Sequence, residues 1–307
     1  MQIEPPALNL PPNLAALERR LAERFPYFVK VVSKRIEDFG QPWVEDFEEE
    51  LRVFFAGDGA ALDKATDGYG VFALDAMKLQ KRFDKDRQYI PKIYADVATA
   101  VYHSPSYMFD LYLPGILLSQ FLWHHHYQQL TFFRERFVPQ AKTLGACSFY
   151  DVGVGTGFYS KEMLHALPRA RGTGCDISEH SLNHTIRMLD RWDLAGRYDP
   201  RRVDILSANL APADCIVSVE VLEHLEDPPV FLRALHGMLR PGGLGYITAA
   251  INAPNADHIY LYRFIEDVLK EIEGAGFRVL EHAEYFGYVP KPGESVPSGG
   301  VCIVTRE

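Results

Sequence analysis

Tyr150-Asp-Val-Gly-Val-Gly-Thr-Gly157 follows a short apolar run and precedes a stretch with helical spacing. Three glycines at alternate positions, just past a strand, let the backbone turn tightly. They also let a ligand approach without meeting a Cβ atom. A glycine loop at a strand-to-helix junction points to a nucleotide or nucleoside ligand held at the end of a parallel sheet. The loop alone is a weak signal, so its surroundings decide its meaning.

Downstream of the loop, strand-like and helical stretches alternate. Apolar runs at Ser148–Val152, Arg171–Asp176, Cys215–Val219, Gly243–Ala249, Arg278–Phe286 and Gly300–Thr305 read as strands. Ser160–Ala166, Ser178–Trp192, Pro229–Leu239 and Arg263–Gly274 read as the helices between them. This alternation predicts an α/β fold, a mostly parallel sheet wrapped by helices on both faces. The last two strands are close enough to pair as an antiparallel hairpin.

Acids stand where such a sheet places its ligand. Asp176 ends the second strand, 176 − 157 = 19 residues after Gly157, and a carboxylate there can accept both hydroxyls of a ribose. Asp204 lies in Arg202-Val-Asp-Ile-Leu, within reach of an adenine amino group. A further buried strand leads into the acidic turn Glu220-Val-Leu-Glu-His-Leu-Glu-Asp227, and Arg240-Pro-Gly-Gly243 introduces the next one.

This ordered series, Asp151–Gly157, Asp176, Asp204, Glu220–Asp227 and Arg240–Gly243, resembles the class I S-adenosylmethionine-dependent methyltransferase family over roughly half of the chain. The resemblance implies a Rossmann-like seven-stranded sheet with the hairpin at one edge. It implies that Asp151, Gly153, Gly155 and Gly157 hold the methionine part of S-adenosylmethionine, Asp176 the ribose and Asp204 the adenine. Ile177, Ile205 and Glu220 complete the expected cofactor-binding set. A nicotinamide fingerprint fits less well, because it needs two residues between its second and third glycines and only Thr156 is present.

Before Pro139 the pattern is helical. Asn13 reads as the cap of a helix starting at Leu14, with Leu14, Leu17, Leu21 and Phe25 on one face. Further helices are expected from Pro42 to Ala56, from about Phe72 to Lys85 and from Pro114 to Phe137, with a Gly/Asp-rich loop around Gly57–Gly70. Residues 1–140 thus read as a helical cap and 141–307 as the cofactor-binding domain. Between Tyr69 and Phe137 there are 15 aromatics in 69 residues, about 22% against 12% overall. Tyr89, Tyr94, Tyr102, Tyr107, Tyr112, Trp123 and Tyr127 stand out. Aromatic faces attract a sulfonium and exclude water, although most of these rings would serve a domain of this size as core.

Composition narrows the partners. The formal charge is 32 − 41 = −9, and no Lys/Arg-rich run is present, which disfavours a nucleic-acid substrate. The four cysteines (Cys147, Cys175, Cys215, Cys302) form no CxxC pair and read as small core residues in a reducing compartment. Met1–Pro12 lacks the pattern of a signal peptide, and Leu111–Trp123 is too short to span a bilayer. The expected setting is cytoplasmic, with a small-molecule substrate, no membrane partner and the oligomeric state open. The proline-rich start, Pro5-Pro6 and Pro11-Pro12, is where disorder is expected.

Three groups of residues are candidates for chemistry. His124-His125-His126 invites a metal, but consecutive helical residues point about 100° apart, so no metal site is expected. His224, in Glu223-His-Leu, is a candidate for orienting substrate. In Asn252-Ala-Pro-Asn-Ala-Asp-His-Ile-Tyr-Leu-Tyr262 the residues Asn252, Asp257, His258, Tyr260 and Tyr262 would line a pocket past a strand's C-terminal end; a polar loop with Asp257 as a helix N-cap is the plainer reading. This segment also resembles small-molecule methyltransferases of peptide and polyketide biosynthesis. The expected catalytic set is Tyr89, His224 and His258, and the expected substrate set Tyr102, Tyr107, Trp123, Asn252 and Tyr260.

Methyl transfer to oxygen, nitrogen or carbon of a small metabolite is the leading expectation. It requires alignment of a nucleophile, exclusion of water and removal of a proton. A rival expectation is a cyclase that consumes S-adenosylmethionine itself: the α-amine attacks the γ-carbon, releasing methylthioadenosine and forming azetidine-2-carboxylate. A non-catalytic S-adenosylmethionine-binding scaffold is the third; the intact loop and acids count against it.

Overall fold

The computed structural model describes residues 10–291 and 295–307. The expected disorder at Pro5-Pro6, and most of the Met1–Pro12 segment, lie outside them. Pro12, whose fixed φ suits a first helical turn, instead opens α1 (Pro12–Arg24). Asn13 does not cap it. The free N–H groups of Asn13 and Leu14 donate to the Glu48 carboxylate, at 3.3 and 2.9 Å, from a neighbouring helix.

α2 (Val31–Phe39) and α3 (Gln41–Phe55) follow. α4 is longer than expected, running from Gly59 to Asp86 across the whole Gly/Asp-rich stretch. Asp58 caps it by accepting from Ala61 N at 3.0 Å. Its glycines serve proximity, not a loop: a Cβ on Gly68 would lie 2.3 Å from the Asp110 carbonyl oxygen, and one on Gly70 would lie 2.4 Å from the Phe25 ring. The next segment is broken into α5 (Tyr94–Val97), a π-helical turn Ala98–Tyr102, α6 (Pro105–Tyr107) and a second π turn Met108–Tyr112. The expected helix from Pro114 to Phe137 is interrupted at Trp123, which is extended (φ −91°, ψ 128°) between α7 (Leu113–Leu122) and α8 (His124–Phe132). A π turn at Phe133–Phe137 and α9 (Val138–Leu144) lead to the sheet.

The sheet has seven strands: β1 (Ser148–Val152), β2 (Arg171–Asp176), β3 (Tyr198–Arg202), β4 (Ala213–Ser218), β5 (Leu239–Ile251), β6 (Phe277–Phe286) and β7 (Ser298–Arg306). Their order is β3-β2-β1-β4-β5-β7-β6, with β7 antiparallel to both neighbours. α10 (Phe158–Ala166), α11 (Glu179–Arg191), α12 (Pro228–Met238) and α13 (Ile265–Gly274) make the crossovers. β3 has no counterpart among the apolar runs, because it is an exposed edge reading Tyr-Asp-Pro-Arg-Arg.

Residues alternate between two cores, as a sheet covered on both faces requires. Phe149, Cys215, Val217, Val301 and Ile303 join a core with α10, α11 and the N-terminal helices. Tyr150, Val152, Ile216, Cys302 and Val304 join another with α12 and α13. The first core runs unbroken into Leu14, Trp43, Phe47 and Phe121, so the N-terminal helices bury their apolar faces against the α10/α11 side.

A buried ion network crosses that seam. Lys161 of α10 reaches Glu50 of α3 at 2.8 Å and Glu162 at 2.6 Å, and Glu162 accepts from Arg134 at 2.7 Å. Arg134 continues to Asp46 of α3. Both side chains of the Lys161–Glu50 pair are 4% exposed, so each charge depends on its partner. Cys175, Cys215 and Cys302 are buried and Cys147 is exposed. No described helix is long and apolar enough to cross a membrane.

Candidate active site

Parallel strands deliver their C-terminal ends, and whatever side chains stand there, to one edge of the sheet. β1 ends at the glycine loop, β2 at Asp176, β4 just before Glu220 and β5 at the segment 252–262. Gly153 sits at φ +76°, and a Cβ there would meet Val221 Cγ2 at 2.5 Å, so a larger residue would both strain the turn and fill the cleft.

Two cavities of about 390 Å³ each meet at Gly153. The first, a cleft, is lined by Asp176, Ile177, Asp204 and Ile205, with Tyr94 of α5 closing over it. The Tyr94 N–H donates to Glu226 at 2.8 Å, pinning the broken segment across the cleft. The second, a chamber, is bounded by Asp151, Gly153, Gly155 and Glu220 on the sheet side. Phe72, Tyr112 and Trp123 form its aromatic wall; the Phe72 and Trp123 rings stack with centroids 5.6 Å apart. Gly157 caps α10 and lines neither cavity.

Burial governs the acids. It pushes the Asp151 carboxyl up to about 7, despite a short hydrogen bond of 2.5 Å from the Ser160 hydroxyl. It lifts Asp176 to about 6, against the N–H groups of Ser178 and Gly155 that favour its charge. Glu220, held at φ +53° and accepting from Thr248 Oγ1 at 3.1 Å, is raised to about 7 for the same reason.

One pole of the chamber is polar. The 3₁₀ turn Leu222–His224 carries Glu223 and His224, and the Glu223 carbonyl accepts from Ile259 and Tyr260 at 2.7 and 2.9 Å. Those bonds bring His258 to His224, with ring centroids 4.8 Å apart. Asp257 is fully buried beside them, 3.3 Å from His224 Nδ1. Burial alone would raise its carboxyl, but His224, His258 and the Tyr112 hydroxyl hold it below the ordinary range. Asp257 is thus no helix cap; Asp267 accepts from Phe264 N at the start of α13.

Of the residues expected to act chemically, His224 and His258 face the chamber, whereas Tyr89 packs behind His258 (centroids 6.2 Å apart) and lines neither cavity. Of the expected substrate residues, Trp123 lines the chamber. Tyr102 stands behind it, its hydroxyl 3.0 Å from His224 Nδ1 and 3.2 Å from Asp257. Tyr107, Asn252 and Tyr260 line neither cavity; Asn252 donates to the Arg263 carbonyl at 2.8 Å and Tyr260 to Glu271 at 2.6 Å. Phe72 and Arg35 line the chamber and carried no local motif, whereas Tyr112 and Glu223 stood in the aromatic and acidic segments without being assigned to a site. His124, His125 and His126 also line the chamber, and burial lowers His126 to about 3.

Comparison with known proteins places this geometry. Residues 150–244 match the family model described as "Methyltransferase domain". Over that span, 95 of 307 residues, the chain is similar to methyltransferase domains. The ubiquinone biosynthesis O-methyltransferase of Parvibaculum lavamentivorans is 33% identical over 121 residues, covering 39% of this chain and 47% of that protein. An uncharacterized protein of a Synechococcus species is 34% identical over 127 residues, covering 41% of this chain and 30% of the other. These matches thus span half or less of those relatives' length. Among solved structures, the mitomycin 7-O-methyltransferase MmcR shares the fold over 83% of this chain and 74% of its own, with a TM-score of 0.55 at 13% identity.

Proposed function

We propose that this chain transfers a methyl group from S-adenosylmethionine to oxygen, nitrogen or carbon of a small, largely apolar molecule, in a biosynthetic setting. The observation that carries the reading is the pair of cavities meeting at Gly153. Asp176 and Asp204 in the cleft suit ribose and adenine. Asp151 at the junction suits the amino-acid end, and the sulfonium would then face the chamber.

The chain's own residues supply the rest of the chemistry. Phe72, Tyr112 and Trp123 offer ring faces to an acceptor and to the sulfonium. They also keep water from the line of transfer. The pole formed by Glu223, His224 and His258 is where an acceptor hydroxyl or amine would dock and lose its proton. Burial holds His258 down to about 3, so it is neutral and can accept a hydrogen bond. The chamber gives a second molecule room, which a cyclase acting on S-adenosylmethionine alone does not need.

The test is incubation of the purified protein with S-adenosylmethionine, alone and with a metabolite extract, followed by mass spectrometry. S-adenosylhomocysteine formed only with the extract supports the reading. Methylthioadenosine and a cyclic amino acid formed from S-adenosylmethionine alone would overturn it.

A further inference from the structure

Glu223 is an unusual carboxylate. It is 0% exposed, its Oε2 accepts only a 3.3 Å bond from Ala250 N, and its Oε1 has no hydrogen-bond partner. Among the described residues no lysine or arginine pairs with it. A buried oxygen left this way carries a desolvation cost that a native site compensates.

Its neighbours are the Glu220 carboxyl, with which its own interacts, and two imidazoles. His224 Nε2 lies 3.8 Å from Glu223 Oε1, too far for a hydrogen bond. Both rings have their other nitrogen committed. His258 Nδ1 donates to the Ala253 carbonyl at 2.5 Å, and His224 Nδ1 faces the Asp257 carboxylate and carbonyl, each at 3.3 Å. Because the Tyr102 hydroxyl donates to Asp257, His224 Nδ1 carries the proton toward that pair, and each ring keeps the lone pair of Nε2. One nitrogen of each imidazole and one oxygen of Glu223 lie within 4.8 Å of one another.

We infer that Glu223, His224 and His258 form a site for a divalent transition-metal ion at the polar pole of the chamber. Bonds of about 2.0–2.2 Å from nitrogen and carboxylate oxygen place two ligands of one ion roughly 3–4 Å apart, so the 3.8 Å gap from His224 to Glu223 fits, and the 4.8 Å span of the set closes by small side-chain shifts as the ion binds. Imidazoles that donate their second nitrogen to a carboxylate or a carbonyl are the usual support of such a centre. Asp257 and Ala253 provide that support here. Two carbonyl hydrogen bonds tie the turn carrying Glu223 and His224 to the segment carrying His258, so the ligands are held before the ion arrives. Both histidines face the chamber, which leaves a coordination position open to an acceptor's oxygen. Resting on the methyl-transfer reading, the site narrows the acceptor to a molecule bearing a hydroxyl or enol that an ion can hold and acidify. This ligand set is distinct from the three consecutive histidines considered from the sequence.

The test uses the full chain after chelator treatment, titrated with Co²⁺ alone and followed by visible absorption and calorimetry. One equivalent of Co²⁺ with nitrogen-ligand d–d bands is expected. Glu223→Gln should abolish it, and Asp257→Asn, which touches His224 but no ion, should weaken it about 10- to 100-fold. S-adenosylhomocysteine binding, measured in parallel, should persist in each variant and reports folding. Should Glu223→Gln lose that binding, His258→Gln replaces it. Absence of stoichiometric Co²⁺ binding, or equal binding by wild type and variants, would overturn the metal site. Methyl transfer that survives exhaustive chelation would separate that failure from failure of the function.

Discussion

Acidifying the solution from about pH 8 to about pH 5 should weaken S-adenosylhomocysteine binding steeply, because Asp151 must be charged to hold an ammonium group. Burial lifts Asp151 to about 7 and Asp176 to about 6. At pH 5 roughly one Asp151 in 100 is ionised in the free chain, a loss of about 100-fold in affinity, and Asp176 adds up to about tenfold. The ligand's own amine titrates at about 8 and stays protonated below about pH 7, so the slope from there down belongs to the protein. Calorimetry at several pH values would measure it. Asp151→Asn should bind weakly at every pH and retain only the tenfold part. The free fold should respond in the opposite sense. Asp151 is raised above its unfolded value near 4, so its contribution is fully present below about pH 4. It is lost as pH rises through about 7, on the order of 4 kcal/mol. The ligand's thermal stabilisation should therefore grow with pH. A flat affinity between pH 5 and 8, in wild type, would refute the assignment of Asp151 to the amino-acid end.

Two further expectations concern stability. Lys161→Ala strands the buried Glu50 and should cost about 3–5 kcal/mol in denaturant unfolding; replacing both partners with apolar residues of similar volume should recover most of that. Gly68→Ala drives a methyl group against the Asp110 carbonyl and should cost about 1–3 kcal/mol, seen as a lower thermal midpoint, although alanine raises helix propensity.

That Asp176 and Asp204 share one cleft was legible because the signal is local. A glycine loop and single acids at the ends of β1 and β2 depend on their own strand and turn, and those signals survive in one dimension. Asp204 and Ile205 reach the same cleft for the same reason. The chamber was not legible in this way. Glu223 and Asp257 gain their meaning from a crossing of two segments some thirty residues apart, and Tyr102 reads as a pocket residue until its hydroxyl is seen to be turned to Asp257. β3 escaped because an exposed edge strand carries no apolar alternation. α4 escaped because glycine reports two needs, a turn and a close approach, and sequence spacing does not separate them. The break at Trp123 lies in an apolar run that helical periodicity would continue.

The buried charges across the α3–α10 seam limit how ligands can come and go. Swinging the whole helical bundle outward would part Lys161 from Glu50 in a dry setting and Arg134 from Glu162 beside it, a motion too costly for every turnover. The strap of short helices and π turns from Tyr94 to Tyr112 is tied at the chamber, where the Tyr102 hydroxyl meets His224 and Asp257, and by an ion pair of Asp110 with Lys64; at the mouth of the cleft the Tyr94 N–H to Glu226 holds it. The lightly held cleft end of the strap, beside Tyr94, is thereby the cheaper part to move, with the wall behind it fixed.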